Sequence, residues 1–129
     1  MPHTLIHNDC NPRNLAFRQT DGRHRLCLYD WELAAAGLPQ HDLAELLCFV
    51  LSPQPSPADV FDYIERHRSA LERHCRCPID AAEWSRGFRL SLYDLMINRL
   101  PAYAMVHRFQ KQKFLERVIR TWMALVEFV

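Results

Sequence analysis

Three side chains near the start of the chain have types and spacing suited to moving a phosphoryl group. They lie in the stretch His7-Asn8-Asp9-Cys10-Asn11-Pro12-Arg13-Asn14, and a second acidic cluster follows at Asp30-Trp31-Glu32. Phosphoryl transfer rests on positioning and charge neutralisation: a carboxylate orients the attacking hydroxyl, and hard oxygen ligands hold Mg²⁺ against the phosphates. Asp9 is the candidate that orients the hydroxyl and takes its proton late. A free Asp has a pKa of about 4 and is a weak base, so orientation counts for more than basicity. Asn14 and Asp30 are the candidate Mg²⁺ ligands. His7 fits a role supporting the loop better than one in proton transfer. Arg13 has two readings, a phosphate contact or pairing with a nearby carboxylate. Glu32 also has two, metal binding through water or fixing the local turn.

These residues need elements to hold them. Thr4-Leu5-Ile6 is a short β-like run leading into the stretch, and Pro12 keeps Asn11 out of the helical region. Residues 15–18 and 25–29 read as strands, with Leu15 and Phe17 alternating with Ala16, and Leu26 and Leu28 with Cys27. Asp21-Gly22 marks the turn between them. Such a β-hairpin carries Asn14 at its start and Asp30 at its end, so both can reach one cation. Residues 34–37 read as a loop. From about residue 40 to 51 the pattern turns helical and apolar on almost every side, which predicts a buried helix. Asp42 near its start can meet free backbone amides there.

Ser52-Pro53-Gln54-Pro55-Ser56-Pro57 reads as a linker-like stop, with Ser56 as N-cap and Pro57 as first residue of the next helix. Val60, Ile64, Leu71 and Cys75 line one face of that helix, and Glu65, Arg66, Arg68, Glu72 and Arg73 form a solvated one. His67, His74, Cys75 and Cys77 do not have zinc spacing, because only one residue separates the cysteines and no second pair follows. Asp80 and Glu83 form an Asp-x-x-Glu start like a capping box for a long helix with Trp84, Phe88, Leu92 and Leu95 on one stripe. Pro101 should kink or break it. Tyr93, Asp94, Asn98 and Arg99 are polar interruptions in it. The segment from about residue 110 to 129 carries a wide apolar stripe expected to dock on the rest.

The chain resembles the C-terminal lobe of the aminoglycoside phosphotransferase and choline kinase branch of the protein-kinase-like fold. His7-Asn8-Asp9 through Asn14 is similar to the catalytic loop H-x-D-x-x-x-x-N, and Asp30-Trp31-Glu32 stands where protein kinases have Asp-Phe-Gly. Gly37-Leu38-Pro39 followed by Asp42-Leu43-Ala44 resembles the family's G-x-P-x-x-D-L-A segment. The three matches come in the right order and cover about the first third of the chain. The resemblance implies an α+β fold, mainly α: a small hairpin carrying the catalytic loop over residues 4–32, and a helical part over 39–129. It implies ATP and Mg²⁺ as cofactors, bound through Asn14 and Asp30, with Asp9, His7 and Arg13 in the catalytic loop. The acceptor would be a hydroxyl of an amino sugar, amino alcohol or similar metabolite. Asn11 stands near where protein kinases often place a lysine, which disfavours a protein acceptor. The resemblance also lets Asp42 bond back to the catalytic loop, against the plainer reading as a helix cap. Asp94 and Asn98, one turn apart, would face a substrate or serve as surface and helix contacts.

Composition sets the remaining bounds. A length of 129 residues fits one domain, and 49% hydrophobic residues suffice for a core. Lys and Arg number 16 against 15 Asp and Glu, so no nucleic-acid partner is implied. There is no signal-peptide pattern and no apolar run of membrane-spanning length, and the five cysteines are odd in number, which together suggest a reducing cytoplasm. No Gly-rich loop occurs, and the only lysines are Lys111 and Lys113. The phosphate-gripping N-terminal lobe of a kinase is therefore expected to be missing here or supplied by another chain. Two functions are consistent with this: a small-molecule kinase in truncated form, inactive alone, or a non-catalytic kinase-like remnant serving as a binding or interaction module.

Overall fold

The computed structural model describes residues 3–129, and the fold is α+β, mainly helical. Two antiparallel ribbons come first. Strand β2 (Leu15–Thr20) pairs with β3 (Arg23–Leu28) in the register Leu15 to Leu28 and Thr20 to Arg23. Both turn residues, Asp21 and Gly22, have positive φ, the twist that matches a two-residue hairpin. The alternation of Leu15, Phe17, Leu26 and Leu28 does not mark a buried face: Phe17 is 74% exposed and Leu26 52%. Among the described residues the hairpin has no second layer over that face.

Residues 34–37 are not simply a loop. Strand β4 (Ala35–Gly37) pairs with β1 (Thr4–Ile6), a long-range partner that local composition does not reveal. Gly37 lets the two strands pack closely, since a Cβ at this position would lie 2.6 Å from Ile6 Cδ1 and push that side-chain end aside. The ribbon ties the chain entering the stretch from His7 to Asn14 to the chain leaving Asp30-Trp31-Glu32.

Helix α1 (Gln40–Val50) is the hub, with Ala44, Leu47, Cys48 and Phe49 all buried. It packs on α3 (Ala81–Asp94) and α5 (Leu115–Phe128). Helix α2 (Pro57–Cys75) lies alongside through Val60 and Ile64. Its apolar stripe ends sooner than its periodicity predicts, and Cys75 is exposed because the helix runs past the core. Ser56 occupies the N-cap position but its side chain caps nothing, whereas Asp80 accepts the Glu83 amide at 2.7 Å and caps α3. Trp84, Phe88, Leu92 and Leu95 are buried as one stripe.

After α3 the helix changes pitch. Residues Leu95–Arg99 form a π-helical turn, closed by the Leu100 amide on the Leu95 carbonyl, and α4 (Leu100–Phe109) continues beyond it. Pro101 has no amide to offer the Ile97 carbonyl, so a widened turn just before it relieves the clash an α-helical proline would cause. The helix is re-registered rather than ended. Helix α5 starts at Leu115, later than the apolar pattern suggests, with Val118 and Leu125 buried and the Trp122 indole donating to the Leu92 carbonyl at 2.8 Å. No helix among the described residues is long and apolar enough to cross a membrane.

Candidate active site

The stretch after β1 is held by side chains from α1. The Asp42 carboxylate accepts the backbone amides of His7 at 2.7 Å and Asn8 at 2.9 Å, and makes no cap on its own helix. Asn8 has φ 59, a left-handed conformation that a short polar side chain tolerates, and this turn presents the two successive amides. One turn further along α1, Glu45 accepts the Cys10 amide at 2.8 Å. Two carboxylates of one helix face thus grip the loop through its backbone.

His7 is fully buried, with Nε2 2.8 Å from the Tyr29 carbonyl oxygen. Its ring packs against Trp31, with centroids 4.7 Å apart. His7 therefore joins the loop to the end of the β2–β3 hairpin. Pro12–Asn14 forms a short 3₁₀ turn, started by Asn11, whose side-chain oxygen accepts the Arg13 amide at 3.1 Å. This turn returns Asn14 toward Asp9.

Asp9 sits in a dense polar cluster. Its Oδ2 accepts from Asn14 Nδ2 at 2.7 Å and its Oδ1 from Asn11 Nδ2 at 3.0 Å. From the far end of the chain, the Arg99 guanidinium also bonds Oδ1, and the Tyr103 hydroxyl lies 3.4 Å from it. Arg99 and Tyr103 meet Glu45 as well, at 3.4 and 3.1 Å. Glu45 is only 1% exposed, so Arg99 supplies the charge that compensates it. Burial opposes the charge on Arg99, but Glu45 and then Tyr103 and Asp9 hold its pKa above the ordinary value. Burial, reinforced by Glu45, raises Tyr103, and burial with Asp42, Glu45 and Asp9 pushes the Cys10 thiol up to about 12. Tyr103 and Cys10 are thus neutral at ordinary pH.

Glu45, Arg99 and Tyr103 are the members of this cluster that the loop motif does not announce. Glu45 leaves one signal, an acid inside the apolar run of α1. Arg99 reaches the loop from the re-registered turn ahead of Pro101.

The remaining candidates divide. Among the described residues Arg13 pairs with no carboxylate: its Nε bonds Asn11 Oδ1 at 3.1 Å and its guanidinium lies over the Phe114 ring. Asp94 and Asn98 bond each other at 2.7 Å, and Asp94 also contacts His41 at 3.0 Å. Asp94 lines a cavity of about 460 Å³ together with Ile6, Asn8, Gly37, His41 and Ser91, so this cavity touches the loop after β1 through Asn8, whereas Asn98 is not part of its wall. A larger cavity, about 600 Å³, lies around His107, Lys111 and Arg120 and includes none of the loop residues.

Asn14 and Asp30 stand at one end of the hairpin. The Asn14 carbonyl accepts the Tyr29 amide at 3.2 Å, which places Asp30 one residue beyond that pair. Asp30 is exposed, with φ 65, two residues past the end of β3. The Asn14 amide nitrogen is committed to Asp9, which leaves its oxygen available. One amide oxygen and one exposed carboxylate are hard donors of the kind Mg²⁺ takes alongside substrate phosphates. No cluster of three or more His, Cys, Asp or Glu side chains suited to a metal occurs among the described residues. The donor set therefore fits a cation shared with phosphate oxygens rather than an all-protein cage.

No curated protein and no solved structure matches the chain. A model of the phosphotransferase enzyme family matches residues 1–77, a span holding the gripped loop, the hairpin with Asp30, and the Asp42 and Glu45 anchors. With that match over more than half of its length, the chain belongs to the phosphotransferase enzyme family.

Proposed function

We propose that the chain is the C-terminal, protein-kinase-like lobe of an ATP-dependent small-molecule kinase, passing the γ-phosphoryl group to a hydroxyl of an amino sugar, amino alcohol or similar metabolite. The observation that carries this reading is the Asp9 carboxylate, oriented by Asn14 and Asn11 within a loop that Asp42 and Glu45 hold by its backbone. An acceptor hydroxyl donates to Asp9, which aligns its oxygen for attack and receives its proton as the new P–O bond forms. Asn14 and Asp30 would hold Mg²⁺, which when bound neutralises phosphate charge. His7 keeps the loop and the hairpin end in register. The cavity beside Asn8 suits the acceptor, because the partly exposed Asp94 carboxylate gives an ammonium group a partner. Small-molecule acceptor and nucleotide are thus the partners of this reading. Gripping the nucleotide phosphates falls to a further lobe, because the chain has no Gly-rich loop.

A second reading, a non-catalytic kinase-like module, is favoured by Arg99, whose guanidinium already occupies Asp9 Oδ1. ATP turnover separates the two. The chain is assayed alone and together with a nucleotide-gripping lobe, against a panel of amino sugars and amino alcohols. The kinase reading expects turnover only with the added lobe, abolished by Asp9→Ala in a protein with unchanged circular dichroism. Turnover that survives Asp9→Ala removes the mechanism, and no turnover in the complemented protein favours the non-catalytic module.

A further inference from the structure

Away from the loop, the end of α2 carries two exposed thiols, Cys75 and Cys77, with sulfurs 2.9 Å apart. We propose that they form a redox-active dithiol that a small disulfide of the glutathione class closes to an intramolecular disulfide.

The backbone brings the two sulfurs together. Arg76, between them, adopts φ 55 and ψ 32, the left-handed conformation that commonly ends a helix but that a non-glycine residue takes at a cost. It reverses the chain so that Cys77 returns beside the last turn. The segment beyond Cys77 is clamped without help from either sulfur. Glu72 Oε1 accepts the Ile79 amide at 2.7 Å, Arg68 Nη1 donates to the Ile79 carbonyl at 2.7 Å, and the Ile79 side chain is buried in the core. Both anchors come from α2 itself. The dithiol is therefore held close before any bond forms, and a covalent S–S bond of about 2.0 Å needs only a small further approach.

Access and charge point the same way. Cys10 and Cys48 are buried, whereas both thiols of this pair face solvent. Arg73, His74 and Arg76 are exposed around them and favour an anionic partner such as glutathione disulfide. One hydrogen bond joins the two sulfurs, and it holds Cys75 below the ordinary thiol range while it raises Cys77. Cys75 is then the attacking sulfur and Cys77 the resolving one.

The chemistry balances. The Cys75 thiolate attacks one sulfur of glutathione disulfide, an S–S bond forms as the old one breaks, and one glutathione thiolate leaves. The Cys77 thiolate then attacks Cys75 Sγ and expels the second glutathione. Two electrons pass from the protein to the small disulfide, and the two thiol protons go to the released glutathione.

The test incubates the full, reduced chain in glutathione redox buffers and reads it by intact mass and peptide mapping. The peptide spanning residues 75–77 should lose two hydrogens, carry no adduct, and recover its mass with dithiothreitol. Cys77→Ser should stop with one glutathione on Cys75, and Cys75→Ser should react more slowly at Cys77. Both positions being exposed, these variants should keep the wild-type circular dichroism. Thiols that stay reduced in glutathione disulfide, separate adducts on both cysteines without closure, or a Cys75→Ser variant as fast as wild type each overturn the proposal.

Discussion

The Arg99 guanidinium bonds the Asp9 carboxylate across 90 residues of sequence and also faces the buried Glu45. One cation thereby links the loop holding Asp9, the hub helix α1 and the turn ahead of Pro101. Removing it leaves Glu45, with a side chain only 2% exposed, as an uncompensated charge. Arg99→Met should cost about 3 kcal/mol in denaturant unfolding, the lower end for a broken buried pair. Adding Glu45→Gln to that variant should restore part of the loss. A single variant within about 0.5 kcal/mol of wild type would show that the cluster carries no such weight.

Asp42 acts on backbone rather than on side chains. Asp42→Ala removes two charge-assisted hydrogen bonds to the His7 and Asn8 amides. The expected cost is about 2 kcal/mol, less than the full value of two such bonds because the group is only partly buried. Hydrogen exchange gives the sharper readout: these two amides should lose protection well before those in the middle of α1. Unchanged protection at both would contradict the anchoring role.

Cation binding should be weak without nucleotide, since Asn14 and Asp30 supply only part of the ligands Mg²⁺ needs. Titration with paramagnetic Mn²⁺ should broaden resonances around Asn14 and Asp30 first, and Asp30→Ala should suppress that broadening. Tight binding that persists in the variant would put the cation elsewhere.

His67 predicts a loss of stability in acid. Burial holds it below its ordinary value of 6.5, with Asp42 opposing, and its ring packs against Trp84 at 5.3 Å. The unfolded chain takes up a proton near pH 6.5 while the folded protein resists it. The stabilisation is therefore full above that pH and is lost as pH falls toward the folded value, at up to about 1.4 kcal/mol per pH unit. His67→Leu should flatten this part of the stability profile, measured by urea unfolding between about pH 5 and 7. A profile equally steep in the variant would refute the assignment.

Legibility differed from element to element for physical reasons. The hairpin turn, the Asp80 cap, the stripe from Trp84 to Leu95 and the buried character of α1 were readable because each rests on neighbours within one turn or one strand. Strand β4 was not, because its partner β1 lies about thirty residues earlier and three short residues carry no period. The Phe17 and Leu26 alternation misled, since alternation reports which side chains share a face and not whether anything covers it.

The same division holds at the site. The sequence alone determined the chemistry-bearing types and their local spacing, His7, Asp9, Asn14 and Asp30, because a loop and a two-residue turn hold such groups by short-range geometry. Only the tertiary structure decided that Asp42 faces the loop rather than its own helix end, that Asp94 turns to His41 and a cavity wall, and that Arg99 and Tyr103 converge with Glu45 on Asp9. Each of these depends on how one helix is rotated against another. That rotation is set by the whole core and by the single widened turn before Pro101, which no local pattern of residues encodes.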